Sequence, residues 1–102
     1  MEEIYTVNSV NNVPIRLTPE RWFHIVENHD DLAGYFFDIL ETIEHPDLII
    51  RGNNGTLKAS KNFGKKKWLI VIYREVSKKD GFIITSYFID KCPGGEVIWK
   101  QN

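Results

Sequence analysis

Two long apolar segments, residues 68–74 and 81–90, constrain the fold of this chain more than any other feature. Both are rich in β-branched and aromatic residues, and between them the polar residues 77–80 are followed by Gly81. Two strands joined by a short turn of this kind pair antiparallel. The sequence therefore predicts an antiparallel hairpin whose two strands are central in a sheet.

The first half of the chain shows two helix patterns. Thr18 followed by Pro19 is typical of a helix start, and we expect this helix to continue to about Asn28. A second apolar stripe at helical spacing begins at Leu32. It ends at about position 44, because the residue before Pro46 is disfavoured in a helix.

The remaining segments complete the predicted architecture. Short strands are expected at 48–50, 56–60 and 97–99, and segment 4–17 is a candidate edge strand. Helix patterns followed by strand patterns are typical of an α+β domain. We therefore predict that residues 1–102 form a single α+β domain, with two N-terminal helices packed on a mostly antiparallel sheet of four to five strands.

Composition places the chain among globular proteins that remain in water. Its 102 residues are 42% hydrophobic, and no apolar run approaches the roughly 18 residues that a membrane span requires. The start Met1-Glu2-Glu3 is acidic, unlike a signal peptide, and the lone Cys92 allows no internal disulfide. We expect a cytoplasmic protein that makes no contact with a membrane.

The net charge of −1 conceals two halves of opposite sign. Residues 1–50 hold two arginines against ten carboxylates, a net charge of −8, whereas residues 51–102 hold eleven cations against four carboxylates, a net charge of +7. A cationic sheet with interleaved aromatic residues can hold a polyanion such as RNA. The alternative, of equal weight, is that acidic helices and basic strand ends solvate the surface and attract each other.

Two histidines on the first predicted helix are candidates for acid/base chemistry, because imidazole exchanges a proton near neutral pH. His29 falls on the apolar stripe of that helix and is expected to face inward, whereas His24 falls on the outer side. This spacing points the two rings apart, which disfavours a shared metal ion. The competing interpretation of His29 is a buried imidazole bonded to a backbone carbonyl.

The second long strand carries two neighbouring hydroxyls, Thr85 and Tyr87, which share a face and can contact a phosphate. Strict alternation places Ile83 and Lys91 on that face as well. Arg74 on the first long strand is a candidate phosphate clamp. These features also have a structural explanation, since Thr and Tyr favour strands and arginine commonly lies over apolar surface.

The order of these features resembles the phage-type nucleases grouped with barnase, EndoU, colicin D and RelE. The resemblance lies in Leu17-Thr18-Pro19-Glu20-Arg21-Trp22 followed by His24 and His29, in Ile43-Glu44-His45-Pro46-Asp47-Leu48-Ile49, in a glycine-rich turn, and in Ile84-Thr85 with Tyr87. It covers residues 15–100 and implies helices followed by a four-stranded antiparallel sheet, in a single RelE/colicin D-like domain.

The resemblance implies that the protein is a toxin-like endoribonuclease that uses no metal and no other cofactor. A base removes the 2′-hydroxyl proton, the oxygen attacks the adjacent phosphorus in line, and an acid protonates the leaving 5′-oxygen. The implied catalytic residues are His29 as base or acid, Thr85 and Tyr87 as phosphate-contacting hydroxyls, and His24 as an alternative acid. The implied substrate-binding residues are Lys58, Arg74 or Lys91 near the phosphate. The positive charge of the second half adds Lys65, Lys66 and Lys67, in a loop, as candidates for RNA binding.

An active ribonuclease needs restraint, so the basic sheet predicts an acidic antitoxin or immunity protein as a partner besides RNA. The rival hypothesis is a catalytically inactive module of the same fold, which binds nucleic acid or docks its acidic helices on another protein. The two hypotheses differ in whether the purified protein cleaves RNA. Neither of them sets an oligomeric state.

Overall fold

The structure, a computed structural model, describes residues 4–102. This part of the chain forms two α-helices and a seven-stranded, mostly antiparallel sheet, which confirms the predicted α+β class. The helices are α1 (Pro19–Asn28) and α2 (Phe36–Glu44). The strands are β1 (Tyr5–Asn8), β2 (Pro14–Leu17), β3 (Leu48–Arg51), β4 (Leu57–Asn62), β5 (Trp68–Ser77), β6 (Asp80–Ile89) and β7 (Val97–Lys100).

The two long strands lie in the middle of the sheet, as predicted. The strand order is β1-β2-β6-β5-β4-β3-β7, and neighbouring strands are antiparallel except β2 with β6. The prediction of four to five strands was too low, because segment 4–17 forms a hairpin of two strands that precedes α1. The parallel pairing of this hairpin with β6 joins residues distant in sequence, and local patterns do not show such pairing.

The helix boundaries follow from local residues. Thr18 Oγ1 accepts a hydrogen bond from the Arg21 N–H at 3.2 Å, and a proline occupies the first turn of α1, as predicted. The second helix starts later than predicted: a one-turn 3₁₀ helix spans Asp30–Leu32, and α2 begins at Phe36. Gly34 lies between the two, and glycine disfavours a continuous helix because of its backbone entropy.

Both helices pack on one face of the sheet. Ile25 of α1 and Ile39 of α2 form one buried core with Leu69 and Val71 of β5. Burial of a side chain of this size contributes about 1.5–3 kcal/mol, so this contact holds the helical layer on the sheet. The opposite face of the sheet, here called the open face, has no helical layer in residues 4–102.

A β-bulge between β5 and β6 decides which residues reach the open face. Thr85 pairs with Ile72, but the next pair is Ile83 with Tyr73, so Ile84 is an extra residue on β6. Ile83 and Tyr73 both belong to the core under the helices. The prediction that Ile83 shares a face with Thr85 is therefore wrong, because one inserted residue shifts the alternation by one position.

The connection from β6 to β7, here called the strap (residues 90–96), crosses the open face. β7 lies at the far edge of the sheet, beyond β5, β4 and β3. Ile50 pairs with Lys58 and is 1% exposed, although no helix lies on its side of the sheet. A Cβ added to Gly95 would lie 2.8 Å from Ile50 Cγ2. The strap therefore passes directly over Ile50 and covers part of the open face.

The Tyr73 hydroxyl is a buried polar group without a hydrogen-bond partner among residues 4–102. Its side chain is fully buried, and desolvation, together with the negative charge of Glu75, raises the pKa of the phenol. The phenol is therefore neutral in the folded protein over the physiological pH range. An unsatisfied buried hydroxyl costs about 1–3 kcal/mol.

We expect Gly95→Ala to destabilise the protein, because the added Cβ meets Ile50 and because Gly95 has a φ of +116°, which residues with a Cβ rarely adopt. The expected loss is about 1–3 kcal/mol in the free energy of unfolding, measured by urea denaturation. Gly94→Ala is the matched control, since nothing lies within 4 Å of its added Cβ. Equal stability of the two variants would contradict the packing of the strap on Ile50.

Tyr73→Phe is expected to stabilise the protein by about 1 kcal/mol, because the ring volume remains and the unsatisfied hydroxyl is lost. The raised pKa also predicts a pH dependence: wild-type stability is complete below the ordinary tyrosine pKa of 10.0 and falls above it, because the unfolded chain ionises first. Urea denaturation at about pH 8 and pH 11 should show a smaller loss for the variant.

The control for this substitution is Tyr35→Phe, which removes a hydroxyl that accepts a hydrogen bond from Lys67 Nζ at 3.0 Å. That variant should gain no stability, because its hydroxyl has a partner. A Tyr73→Phe protein less stable than the wild type would show that the hydroxyl is satisfied in solution.

Candidate functional site

The open face brings together residues from three neighbouring strands. Lys58, Ile72 and Thr85 lie side by side in one row across β4, β5 and β6. Tyr87 lies in the next row of the same face, opposite Ile70. Since neighbouring strands are about 4.8 Å apart, the backbones of Lys58 and Thr85 are separated by about 10 Å. A long cationic side chain and a hydroxyl at this distance can contact the same nucleotide.

Arg74 adds a second cation to this face. It is a diagonal neighbour of Lys58 across the β4–β5 pair, and both side chains are half-buried. Its Nη1 atom would lie 3.2 Å from a Cβ on Gly55, so the guanidinium packs against the turn between β3 and β4. Neither cation makes a side-chain hydrogen bond or an ion pair with another residue of 4–102. Both charges are therefore available to an anionic ligand.

His29 reaches the same region from the end of α1. It is the C-cap residue of that helix, and its backbone N–H donates to the Ile25 carbonyl at 2.8 Å. Its ring centroid lies 6.0 Å from that of Tyr87, with the ring planes inclined by 42°. In the described chain β2 pairs with β6 through Gly81 and Phe82 alone, so the strand edge near Tyr87 is free. The His29 ring at the end of α1 therefore contacts Tyr87 at the edge of β6 that β2 does not cover.

Three groups at this edge retain unused hydrogen-bonding capacity. Within residues 4–102, no hydrogen bond is formed by the His29 ring or by the hydroxyls of Thr85 and Tyr87. The competing interpretation of His29, an imidazole bonded to a backbone carbonyl, is therefore not observed among these residues. Desolvation by burial raises the pKa of the Tyr87 phenol above the ordinary 10.0. The phenol therefore stays protonated at neutral pH, where it donates a hydrogen bond and cannot act as a base.

The three loop lysines divide into two groups. Lys65 and Lys66 are exposed in the turn between β4 and β5. Lys67 instead donates to the Tyr35 hydroxyl at 3.0 Å, and its ammonium lies 4.6 Å from the centroid of the Phe88 ring. Both rings pack against the core under the helices. Lys67 therefore lies on the helix side of the sheet, away from the other two predicted loop residues.

Two other predicted site residues lie apart from the open-face rows. Alternation predicts Lys91 on β6 beside Tyr87, but β6 ends at Ile89 and Lys91 is an exposed residue of the strap, so this placement is wrong. His24 is exposed on α1, where the Asn28 amide donates to its backbone carbonyl at 2.8 Å. The outward position predicted for His24 is thereby confirmed.

Residues 4–102 contain no group of three or more His, Cys, Asp or Glu side chains that could hold a metal ion. Within the same residues, no helix has the length and apolar character that crossing a membrane requires.

Two further features of the site are an apolar floor on β5, whose shared face with Arg74 the sequence predicts, and the strap above it, which the sequence does not predict. Trp68, Ile70 and Ile72 lie on the open face of β5, and Ile70 is 1% exposed. Period-two alternation along β5 predicts that these residues share a face with Arg74, and the register confirms it. The Pro-Gly-Gly of the strap signals a turn, but it does not indicate the sheet edge to which the chain continues.

Comparison with known proteins found no matching family model, no similar curated protein and no similar solved structure.

Proposed function

We propose that this protein is a ribonuclease that cleaves RNA by transesterification at the open face. The observation that carries the proposal is the ring contact of His29 with Tyr87, at 6.0 Å, beside the row that holds Thr85 and Lys58. An imidazole, two hydroxyls and two cations are the groups that this reaction uses. The resemblance of the chain to the barnase and RelE group of nucleases supports the same chemistry.

RNA carries its own nucleophile, the 2′-hydroxyl beside each phosphate. In the proposed reaction this oxygen loses its proton and attacks phosphorus, and the bond to the 5′-oxygen breaks as that oxygen gains a proton. His29 performs one of the two proton transfers and water performs the other: neutral imidazole accepts the 2′-hydroxyl proton while water protonates the leaving oxygen, or water accepts that proton while imidazolium donates to the leaving oxygen. The products end in a 2′,3′-cyclic phosphate and a 5′-hydroxyl.

The remaining groups stabilise the charge that develops on phosphorus. The hydroxyls of Thr85 and Tyr87 donate to the non-bridging oxygens, and the raised pKa of the Tyr87 phenol keeps that donor protonated. Lys58 and Arg74 offset the negative charge from the neighbouring strands. The apolar floor beside them lowers the local dielectric constant, which strengthens each of these interactions.

We expect His29→Ala and Tyr87→Phe each to lower the rate of RNA cleavage by about 10²- to 10⁴-fold, because a positioned proton-transfer group or oxyanion donor is lost. Cleavage of tRNA and total RNA is measured in buffer containing EDTA at about pH 5 to 8. Product ends are identified by mass spectrometry as 2′,3′-cyclic phosphates.

The matched control is His45→Ala, since His45 is exposed beside Glu44, with its Nε2 3.8 Å from Oε1, and lies at the end of α2. Its rate should equal that of the wild type. Intact RNA in the wild-type assay would reject the ribonuclease and favour the inactive binding module. A His29→Ala protein that loses stability and activity in equal proportion would assign the imidazole to the scaffold.

Charge substitutions should distinguish the two groups of loop lysines. If Lys65 and Lys66 contact phosphates, the double substitution to glutamine makes the negative slope of log affinity against log salt shallower by about 1.4, which is 0.7 for each phosphate on a single strand. Lys67→Met should leave the slope unchanged and lower stability by about 0.5–1 kcal/mol, because its ammonium packs over Phe88. Affinity is measured by fluorescence anisotropy with labelled single-stranded RNA. An unchanged slope in the double variant would exclude this loop from the RNA surface.

A further inference from the structure

Four aromatic rings from three elements form a continuous group on the helix side of the molecule, here called the ring cluster. Phe36 of α2 is its centre: its ring centroid lies 4.9 Å from Tyr5 of β1, 5.1 Å from Trp22 of α1 and 5.0 Å from Phe37. All three contacts are edge-to-face, which is a favourable geometry for aromatic rings. The cluster therefore holds its outer rings in defined positions.

The outer part of the ring cluster faces solvent. Phe37 is 69% exposed and Tyr5 is 38% exposed, and Ile4 beside Tyr5 is 60% exposed. A single exposed apolar residue is ordinary, whereas a contiguous exposed apolar patch indicates an interaction site. Edge-to-face contacts with Phe36 and Tyr5 hold the Phe37 ring in place, but most of its apolar surface remains open to solvent.

Carboxylates lie beside this patch on α2. Residues 19–44 carry seven carboxylates, and Arg21 is their one arginine or lysine. Glu41 and Glu44 follow Phe37 on the same exposed side of α2, because helix positions i, i+4 and i+7 share a face. Within the described residues, no ion pair joins the seven carboxylates to a cation of the basic half. The predicted attraction between helices and basic strand ends is therefore not made through ion pairs.

The charge on α2 also acts against its own helix. Cations are favourable near a helix C-terminus and carboxylates are unfavourable there. The C-terminal part of α2 carries Glu41 and Glu44, and its last turn has no basic residue. Glu44 lies beside the His45 ring, with Oε1 3.8 Å from Nε2, and Lys61 Nζ donates to the His45 carbonyl at the end of α2 at 2.9 Å. Glu41 has no ion-pair partner among residues 4–102, so an external cation is the group that would stabilise it.

We propose that the ring cluster with its acidic rim binds a partner protein through a cationic amphipathic helix. Apolar side chains of that helix pack on Phe37 and Tyr5, and its lysines or arginines lie over Glu41 and Glu44. Charge complementarity selects this occupant. A second copy docked by the same patch would oppose two acidic rims, and RNA would meet the same repulsion. The surface is separate from the open face and does not depend on the proposed ribonuclease function.

The test uses the full-length protein and a fluorescein-labelled leucine–lysine peptide of about 18 residues, five helical turns, with its leucines on one face. Binding is followed by fluorescence anisotropy. We expect Phe37→Ser to raise the Kd by about tenfold or more, because an aromatic anchor is lost. The double variant Glu41→Gln/Glu44→Gln should raise it by about fivefold and reduce its salt dependence.

Val76→Ser is the matched control, since Val76 is 56% exposed and lies at the end of β5, outside the ring cluster. Its Kd should remain within about twofold of the wild-type value. A leucine–glutamate peptide of the same pattern should not bind. Equal binding of both peptides would overturn the proposal, as would a wild-type Kd for Phe37→Ser.

Two further measurements test where the peptide binds and whether the protein associates with itself. Chemical-shift changes upon peptide addition should fall on α1, α2 and β1, and changes confined to the open face would overturn the proposal. Self-association in sedimentation that Phe37→Ser abolishes would assign the patch to a second copy and reject a cationic partner. If Phe37→Ser fails to fold, the Kd of the Glu41→Gln/Glu44→Gln variant tests the proposal instead. This variant should fold, because it relieves an unfavourable helix-dipole interaction and keeps the rings intact.

Discussion

The antiparallel pairing of β5 with β6 is the interaction on which the rest of the structure depends. The two longest strands pair from Trp68 opposite Ile89 to Ser77 opposite Asp80. Within this pairing the Ser86 hydroxyl, fully buried, donates to the Ile70 carbonyl at 2.7 Å. β4 adds to one side of the pair and β2 to the other, and both helices pack on its core face. Every other element is therefore placed relative to this hairpin.

The bulge in that pairing decides which residues of β6 face the core and which lie on the open face. Before the bulge Ile83 faces the core, and after it Thr85 and Tyr87 occupy the open face. An extra residue in one strand costs local ladder hydrogen bonds, and bulges occur frequently where a strand re-aims a side chain beside a functional site. The short contact of β2 with β6 then leaves the edge at which His29 meets Tyr87. The position of the candidate site thus depends on the bulge in the β5–β6 pairing and on the short length of the β2–β6 pairing.

Charge is distributed to match these two faces. The acids of residues 19–44 lie on the helix side, while Lys58 and Arg74 lie on the open face. Ion pairs in the described residues join Arg16 of β2 to Asp80 of β6 and Arg51 of β3 to Glu96 of the strap. Neither of these two pairs joins the two charged surfaces to each other. The acids of residues 19–44 and the pair Lys58 and Arg74 therefore lie on opposite sides of one small domain, which suits two different classes of ligand.

The amino-acid sequence by itself determined the features that depend on neighbouring residues. The two central strands, the capped start of α1, the end of α2 before Pro46 and the outward position of His24 all follow from short patterns, and the structure agrees with them. The charge difference between the two halves is likewise a property of composition. About half of the candidate site, the shared face of Thr85, Tyr87 and Arg74, was predictable in the same way.

Tertiary structure alone decided the features that depend on pairing across the chain. The bulge at Ile84 moved Ile83 to the core, because register belongs to two strands together and not to one. The parallel contact of β2 with β6, the course of the strap to the far edge, and the ring contact of His29 with Tyr87 join residues far apart in sequence. Lys67 resembles its two neighbours in sequence, and it differs from them because two aromatic rings of the folded protein lie within reach of its ammonium.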